Sequence, residues 1–403
     1  MTSGGLPPVH PAPVPEDGNG SLVERYARAM QFHGLLATFL TVPLAFVVAG
    51  LVVVATTGKN PLTTYQGIFE GAGLDWPLAL VTGGDRSTAA FNLQQTLLLT
   101  TPFVLTGLAV AFAFRCGLFN IGGQGQYLVG SVLAVWIGSS LPGTPPAVHV
   151  VLAVVAATVG GAVWAGIAGI LKAAVGAHEV ITTIMLNWIA ISVALYLFRI
   201  GGPLQSDTQT HVPISNDVAP GARLPVIWGD PEFQGLTIGI FVALGALAVY
   251  WLLLERTTLG YGVKAVGFNS EAARYAGISV GWHMFLAMAI SGAFAGLAGA
   301  MDILGWQFRI ATGDVSASQI GYLGIAVALL GRTNVFGVGL AAFLFASLVT
   351  GTSTRNLDPE VFRPELAGNL TLLIQGLIVL FVAADVIVLW ILRRLTRREE
   401  VPA

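Results

Sequence analysis

The chain has 403 residues, of which 55% are apolar and only 10% charged, with a formal net charge of −2. A water-soluble domain carries roughly a quarter charged residues, so most of this chain's surface does not face water, and the mean hydropathy of +0.77 agrees. The near-neutral charge gives no reason to propose a nucleic-acid partner, and the single cysteine, Cys116, excludes an internal disulfide or a thiolate metal cluster.

Residues 1–22 are rich in proline and carry acids (Pro7, Pro8, Pro11, Pro13, Pro15, Glu16, Asp17). They lack the short basic start of a cleaved signal peptide. A disordered cytoplasmic tail is expected there, with the first apolar run acting as an uncleaved anchor.

Apolar stretches long enough to cross ~30 Å at 1.5 Å per residue then follow in order. They fall at 35–56, 94–114, 117–139, 148–171 and 180–198, and, after a polar loop, at 236–254, 282–304, 317–331, 334–353 and 367–392. The expected fold is an all-α integral membrane protein over 23–392, a polytopic bundle of about ten transmembrane helices with some broken helices. Segments 317–331 and 334–353 are separated by Arg332, and half-helices are an open alternative to two full crossings there.

Basic residues orient the chain. With both termini inside, the inner segments hold twelve of the 19 Lys and Arg, among them Arg115, Lys172, Arg256, Lys264, Arg274 and Arg332. The basic tail over 393–403, with Arg393, Arg394, Arg397 and Arg398, makes the bias directional. Two long outer segments remain, 57–93 and 199–235. The second carries Asp207, Asp217, Asp230 and Glu232 among turn residues; both are expected to be loops, and either a docking surface or a plain connection accounts for them.

The inner loop over 255–281 is the most informative stretch. Asn269 is placed to cap a short helix whose first turn holds Glu271, and Gly277 supplies its stop. The plain reading is an interfacial connecting helix. Glu271-Ala272-Ala273, with Gly277 four residues further on, resembles the E-A-A-x3-G loop of ABC-importer permeases. Leu118 through Gln126, His178 through Asn187 and Lys264 through Ile278 resemble the nucleoside and simple-sugar branch of bacterial ABC permeases, a family related to the branched-chain amino acid and ribose type. The likeness runs from about 35 to 392, over nearly the whole membrane part. It departs at Gln124, where the family more often has Glu, and at Ser270, where it more often has Pro.

The resemblance implies a permease subunit in the bacterial cytoplasmic membrane, moving cargo by alternating access. It implies a separate ABC ATPase subunit, a second permease subunit in a heterodimer, and an extracytoplasmic substrate-binding lipoprotein. In such a system Asn269, Glu271, Ala272, Ala273 and Gly277 would couple the ATPase to the membrane helices. The chain has no GxxxxGK[ST] run to hold a nucleotide's phosphates. It is therefore read as no enzyme, needing no cofactor of its own and no metal, with ATP used by the partner.

The mid-span candidates for the substrate path are neutral. Asn120, Gln124 and Gln126 surround the glycines at 122, 123 and 125, where an irregular backbone needs protein or a water-filled cavity around it. Thr183 and Asn187 share a helix face and are followed by Trp188, a set that suits an uncharged nucleoside or sugar; helix–helix hydrogen bonding explains them equally well. Asp302 and Asp385 lie near span ends, where interfacial water is within reach, and Asp302 is a candidate at the path's entrance. Small residues at four-residue spacing (Gly161, Ala165, Gly169; Ser291, Ala295, Gly299, beside Gly292, Gly296, Ala300) are read as packing faces. An ABC permease for branched-chain amino acids or pentoses, an ion-coupled secondary transporter and a non-transporting scaffold remain as alternatives.

Overall fold

The computed structural model describes residues 42–55, 60–82, 86–141, 143–230, 234–353 and 364–383. The expected N-terminal tail, the basic C-terminal tail and Asp385 lie outside them. In chain order the helices begin with α1 (Val42–Ala55), α2 (Pro61–Gly71), α3 (Trp76–Thr82), α4 (Arg86–Arg115) and α5 (Gly123–Ser140). Next come α6 (Pro146–Val175), α7 (Glu179–Phe198), α8 (Gly239–Arg256), α9 (Thr258–Phe268), α10 (Ser270–Tyr275) and α11 (Val280–Asp302). The last are α12 (Thr312–Ala317), α13 (Ile320–Leu330), α14 (Val335–Gly351) and α15 (Pro364–Ala383).

This is a polytopic helical membrane protein. Among the described residues, six helical stretches are long and apolar enough to cross a bilayer: α4, α6, α7, α8, Val280–Gln307 and Thr312–Leu330. Shorter apolar helices occur at Val42–Ala55, Val335–Gly351 and Thr371–Leu380. The stretch Thr312–Leu330 reaches spanning length only by joining α12 to α13. α13 alone has 11 residues, or ~16 Å at 1.5 Å per residue, about half the hydrocarbon thickness.

The core forms where small residues let backbones touch. α6 and α11 meet at Gly161, Gly292 and Gly296: a Cβ added at Gly161 would stand 2.3 Å from the Gly292 carbonyl oxygen, and one at Gly292 would stand 2.2 Å from that of Gly161. α5 joins them at Gly130, whose Cβ would lie 2.5 Å from the Gly296 Cα. These are the faces read from four-residue spacing. Overpacking such a contact costs ~1–3 kcal/mol. Gly161→Val is therefore expected to lower the thermal midpoint of the detergent-solubilised protein, whereas Gly245→Ala on α8, with nothing within 4 Å of its added Cβ, leaves it unchanged.

Three expectations are corrected. The described residues of the segment 57–93 are largely helical: Asn60 caps α2 by accepting from the Leu62 N–H at 2.9 Å, Pro61 opens it, and α4 begins at Arg86. At 11 and 7 residues, α2 and α3 are too short to register in a search for apolar runs of spanning length. The span expected at 117–139 starts instead at Gly123, because Asn120 Oδ1 accepts from the Gly122 N–H at 2.9 Å and holds the preceding residues in a turn. The segment 255–281 contains α9 as well as the expected short helix.

The segment 199–235 is ordered over its described residues. A short hairpin pairs Val226–Trp228 (β1) with Leu236–Thr237 (β2) in antiparallel register, and Trp228 packs on Trp76 of α3 with ring centroids 5.4 Å apart. The segment also bonds along the chain beyond α11. Ser215 N–H donates to the Ile310 carbonyl (2.8 Å), Val218 N–H to that of Phe308 (2.7 Å) and Leu224 N–H to that of Leu304 (2.8 Å). These bonds satisfy backbone groups that a loop at the end of a bundle would otherwise leave unpaired.

Candidate functional site

At one end of the bundle the chain leaves α8 and makes two short helices before entering α11. Thr257 Oγ1 accepts from the Gly260 N–H at 3.1 Å and starts α9. Asn269 ends α9 and starts α10, its Oδ1 accepting from the Glu271 and Ala272 N–H groups, both at 3.0 Å. Glu271 stands in the first turn, where the helix dipole favours an acid. Gly277 follows with φ of 82°, its N–H donating to the Arg274 carbonyl at 3.0 Å while Ile278 N–H donates to that of Ala273 at 2.9 Å. That is a glycine-terminated helix end. Glu271 and Ala272 are exposed, whereas Ala273 is buried and anchors α10 to the bundle.

Three aromatic side chains on this surface were not among the sequence candidates. Phe268 is 91% exposed, Tyr275 93% and Tyr261 69%. Their signal was available: large aromatics placed among glycine and charged residues in a short loop have nothing of their own to pack on. Exposed aromatics on the short helices α9 and α10 are side chains of the kind that anchor a partner.

The residues proposed for the path separate into an inward and an outward set. Asn120, Gln124, Gln126, Thr183 and Asn187 are all buried, and their polar atoms bond within the protein. Asn120 Nδ2 donates to Gln126 Oε1 at 2.9 Å and to Ser291 Oγ at 2.7 Å, and Gln126 Nε2 donates back to Asn120 Oδ1 at 3.0 Å. Gln124 Nε2 donates to the Ser318 carbonyl, and its Oε1 accepts from the Gly321 N–H, both at 2.9 Å. Asn187 Oδ1 accepts from the Gly125 N–H at 2.8 Å and its Nδ2 donates to the Ile121 carbonyl at 3.0 Å. Thr183 Oγ1 donates to the Glu179 carbonyl at 2.7 Å. The broken start of α5 is thus stapled to α7, α11 and α13.

Trp188 is not part of that cluster. It is 60% exposed on a different face of α7, where it lines a shallow groove of about 430 Å³ with Met185, Ile189, Ser192, Val193 and Tyr196. One residue's step along a helix turns a side chain by about 100°, which separates the indole from Asn187. Asp302 is also corrected. It is wholly buried, not at interfacial water. Its carboxylate accepts from the Tyr127 hydroxyl, the Trp306 indole N–H and, at 2.7 Å, the Gln307 amide. With three donors around it, the carboxylate fastens the π-helical turn Ile303–Gln307 to α5. At the far end from α10, a cavity of about 240 Å³ is bordered by Trp136, Ser139, Gln205, Asp207 and Asn216 among others.

The fold is a many-crossing helical bundle with a capped surface helix between two long apolar helices. The family described as branched-chain amino acid transport system / permease component matches residues 92–392, and the chain belongs to that family. It is 36% identical to the guanosine ABC transporter permease protein NupP of Bacillus subtilis, over 89% of this chain and 97% of NupP. Identity to the nucleoside ABC transporter permease protein NupB of Lactococcus lactis is 32%, over 82% and 87% of the two chains. To the glucose ABC transporter permease protein TsgB13 of Haloferax volcanii it is 34%, over 85% of each. A second B. subtilis protein with the same printed description, NupQ, is 26% identical over 62% of this chain and 78% of its own. No solved structure matches the chain significantly.

Proposed function

We propose that this chain is the membrane-spanning permease subunit of an ATP-driven importer for nucleosides. About ten crossings are made by α1, α4 to α8, α11, the α12–α13 pair, α14 and α15, with both termini on the α10 side. The observation that carries the reading is α10: a capped helix of six residues held outside the spans, with Phe268 and Tyr275 bare beside it. A separate ATPase subunit docks there and supplies the force, since the sequence has no phosphate-binding loop of its own. NupP and NupQ share an organism and a printed description, which supports a second, different permease as the partner across the path. The segment 199–235 receives an external binding protein. Sugar is the second reading, favoured by the 34% identity to TsgB13.

The test is reconstitution in vesicles with the second permease, the ATPase and the binding protein, presenting labelled guanosine and glucose in parallel. Guanosine uptake that needs ATP and stops with vanadate is expected. Uphill uptake by this chain alone, without nucleotide, would defeat the reading. The docking surface has its own measurement. An aromatic anchor at the centre of an interface is worth about 2 kcal/mol, or roughly 30-fold in affinity. Phe268→Ser is therefore expected to weaken ATPase retention on the detergent-purified permease by about that factor. Full retention in both Phe268→Ser and Tyr275→Ser would place the docking surface elsewhere.

A further inference from the structure

α13 and α14 form a hairpin closed by Gly331-Arg332-Thr333-Asn334. Arg332 (φ 49°) and Thr333 (φ 53°) both lie in the left-handed region. For a β-branched residue that is a backbone outlier, and such positions persist only where surrounding structure over-determines them. Two side chains do so here. Arg115, the last residue of α4, donates Nη2–H to the Thr333 carbonyl at 3.0 Å, and the Tyr250 hydroxyl of α8 donates to the same oxygen at 2.8 Å.

The same end of α4 lies against α9. A Cβ added at Gly267, in the last turn of α9, would stand 2.3 Å from the Arg115 carbonyl oxygen, and one at Gly117 would stand 3.3 Å from the Gly267 Cα. The two backbones therefore touch with no side chain between them to absorb a displacement. α9 continues through Asn269 directly into α10. At its other end the hairpin meets the buried cluster: Gly321 N–H donates to Gln124, and the Asn187 amide reaches the Tyr322 hydroxyl at 3.5 Å.

We propose that Arg115 is a positioning residue for transport, tying the α9–α10 pair to the strained Arg332-Thr333 turn so that a push on α10 shifts α13 against the Gln124 and Asn187 cluster. The inference rests on the reading of α10 as the ATPase-facing helix. The strained turn is the element with two arrangements. Held by Arg115 it keeps the left-handed pair; released, it relaxes and α13 loses its fixed place. A chain of contacts becomes a coupling route only when a measurement of coupling says so.

That measurement is the number of ATP molecules hydrolysed per solute moved by the reconstituted full complex. Arg115→Gln is expected to keep hydrolysis within about twofold while uptake falls roughly tenfold, raising the ratio accordingly. Arg115→Lys keeps the charge and one donor, though not the planar fork, and is expected to recover part of the loss. An unchanged ratio in Arg115→Gln, with both rates normal or both reduced together, overturns the proposal, since a purely structural role lowers both alike. Should Arg115→Gln fail to assemble, Thr333→Gly decides the matter. It relieves the strain and keeps the carbonyl, so the ratio is expected to rise several-fold, and no change overturns the proposal. An unaltered complex that hydrolyses ATP yet moves no nucleoside or sugar would instead defeat the functional reading, independently of any Arg115 variant.

Discussion

Asn187→Leu is expected to destabilise the folded protein by ~2–4 kcal/mol and to deplete its yield in the membrane. The side chain serves a helix that is not its own. α5 starts at Gly123 after a break, and the first N–H groups of any helix lack intrahelical partners. Gly125 N–H finds Asn187 Oδ1 at 2.8 Å, while the Ile121 carbonyl in the break is met by Asn187 Nδ2 at 3.0 Å. Leucine has the same branching and number of side-chain heavy atoms and, being somewhat bulkier, fills the space, but it leaves one donor and one acceptor buried without partners. Each such orphan costs ~1–3 kcal/mol. Interhelical hydrogen bonds in membranes are often worth less, ~0.6 kcal/mol on average, because a loosened helix finds other partners. That escape is narrow at a broken backbone whose donors already point at one amide. The check is the thermal midpoint in detergent, compared with Asn187→Ser, which retains a hydroxyl. An unaltered midpoint together with lost uptake would mean that Asn187 touches cargo rather than backbone.

The bundle was legible from the sequence because apolar length is a direct requirement of the bilayer. α6, α7 and α8 lie within a few residues of the expected spans. The packing faces at Gly161 and Gly292 were legible for a related reason, since spacing of four on a helix marks one face. α2, α3 and α9 were not visible, because at 7 to 11 residues each is shorter than the apolar run a crossing requires. The cap at Asn269 and the stop at Gly277 were readable, because both depend on local backbone chemistry. Whether Gln124 and Asn187 face a path or a neighbouring helix was not readable. That outcome depends on Ser318, Gly321 and Gly125, which long-range packing brings to them. Asp302 shows the same limit. Its position near a span end suggested water, and only the arrival of Tyr127 from α5 and the π-turn at Trp306 explains its burial. Trp188 was grouped with Asn187 by adjacency, whereas helical rotation separates them.

Gly277→Val is expected to cut uptake tenfold or more while the amount of protein in the membrane stays unchanged. The residue sits at φ 82° with nothing within 4 Å of the place a Cβ would occupy, so no clash contributes and the effect comes from the backbone alone. An ordinary L-residue in the left-handed region costs ~1–2 kcal/mol, and a β-branched one is strained further. Ordinary unfolding offers no relief, because a shift of this size is small beside the burial of the bundle. The turn itself is where the strain can be relieved, by re-aiming the peptide that links α10 to α11. The bonds at stake are Gly277 N–H to Arg274 and Ile278 N–H to Ala273, and losing them frees α10 from the angle at which it meets its partner. A graded series isolates this cause: Asn tolerates the left-handed region best among non-glycine residues, so uptake should fall in the order Gly277, Gly277→Asn, Gly277→Ala, Gly277→Val. Uptake is read in vesicles and the membrane amount by immunoblot. Equal uptake across the series would remove Gly277 and the geometry of α10 from the transport mechanism. A ranking by side-chain size with Asn worse than Ala would point to a steric contact on the partner surface instead.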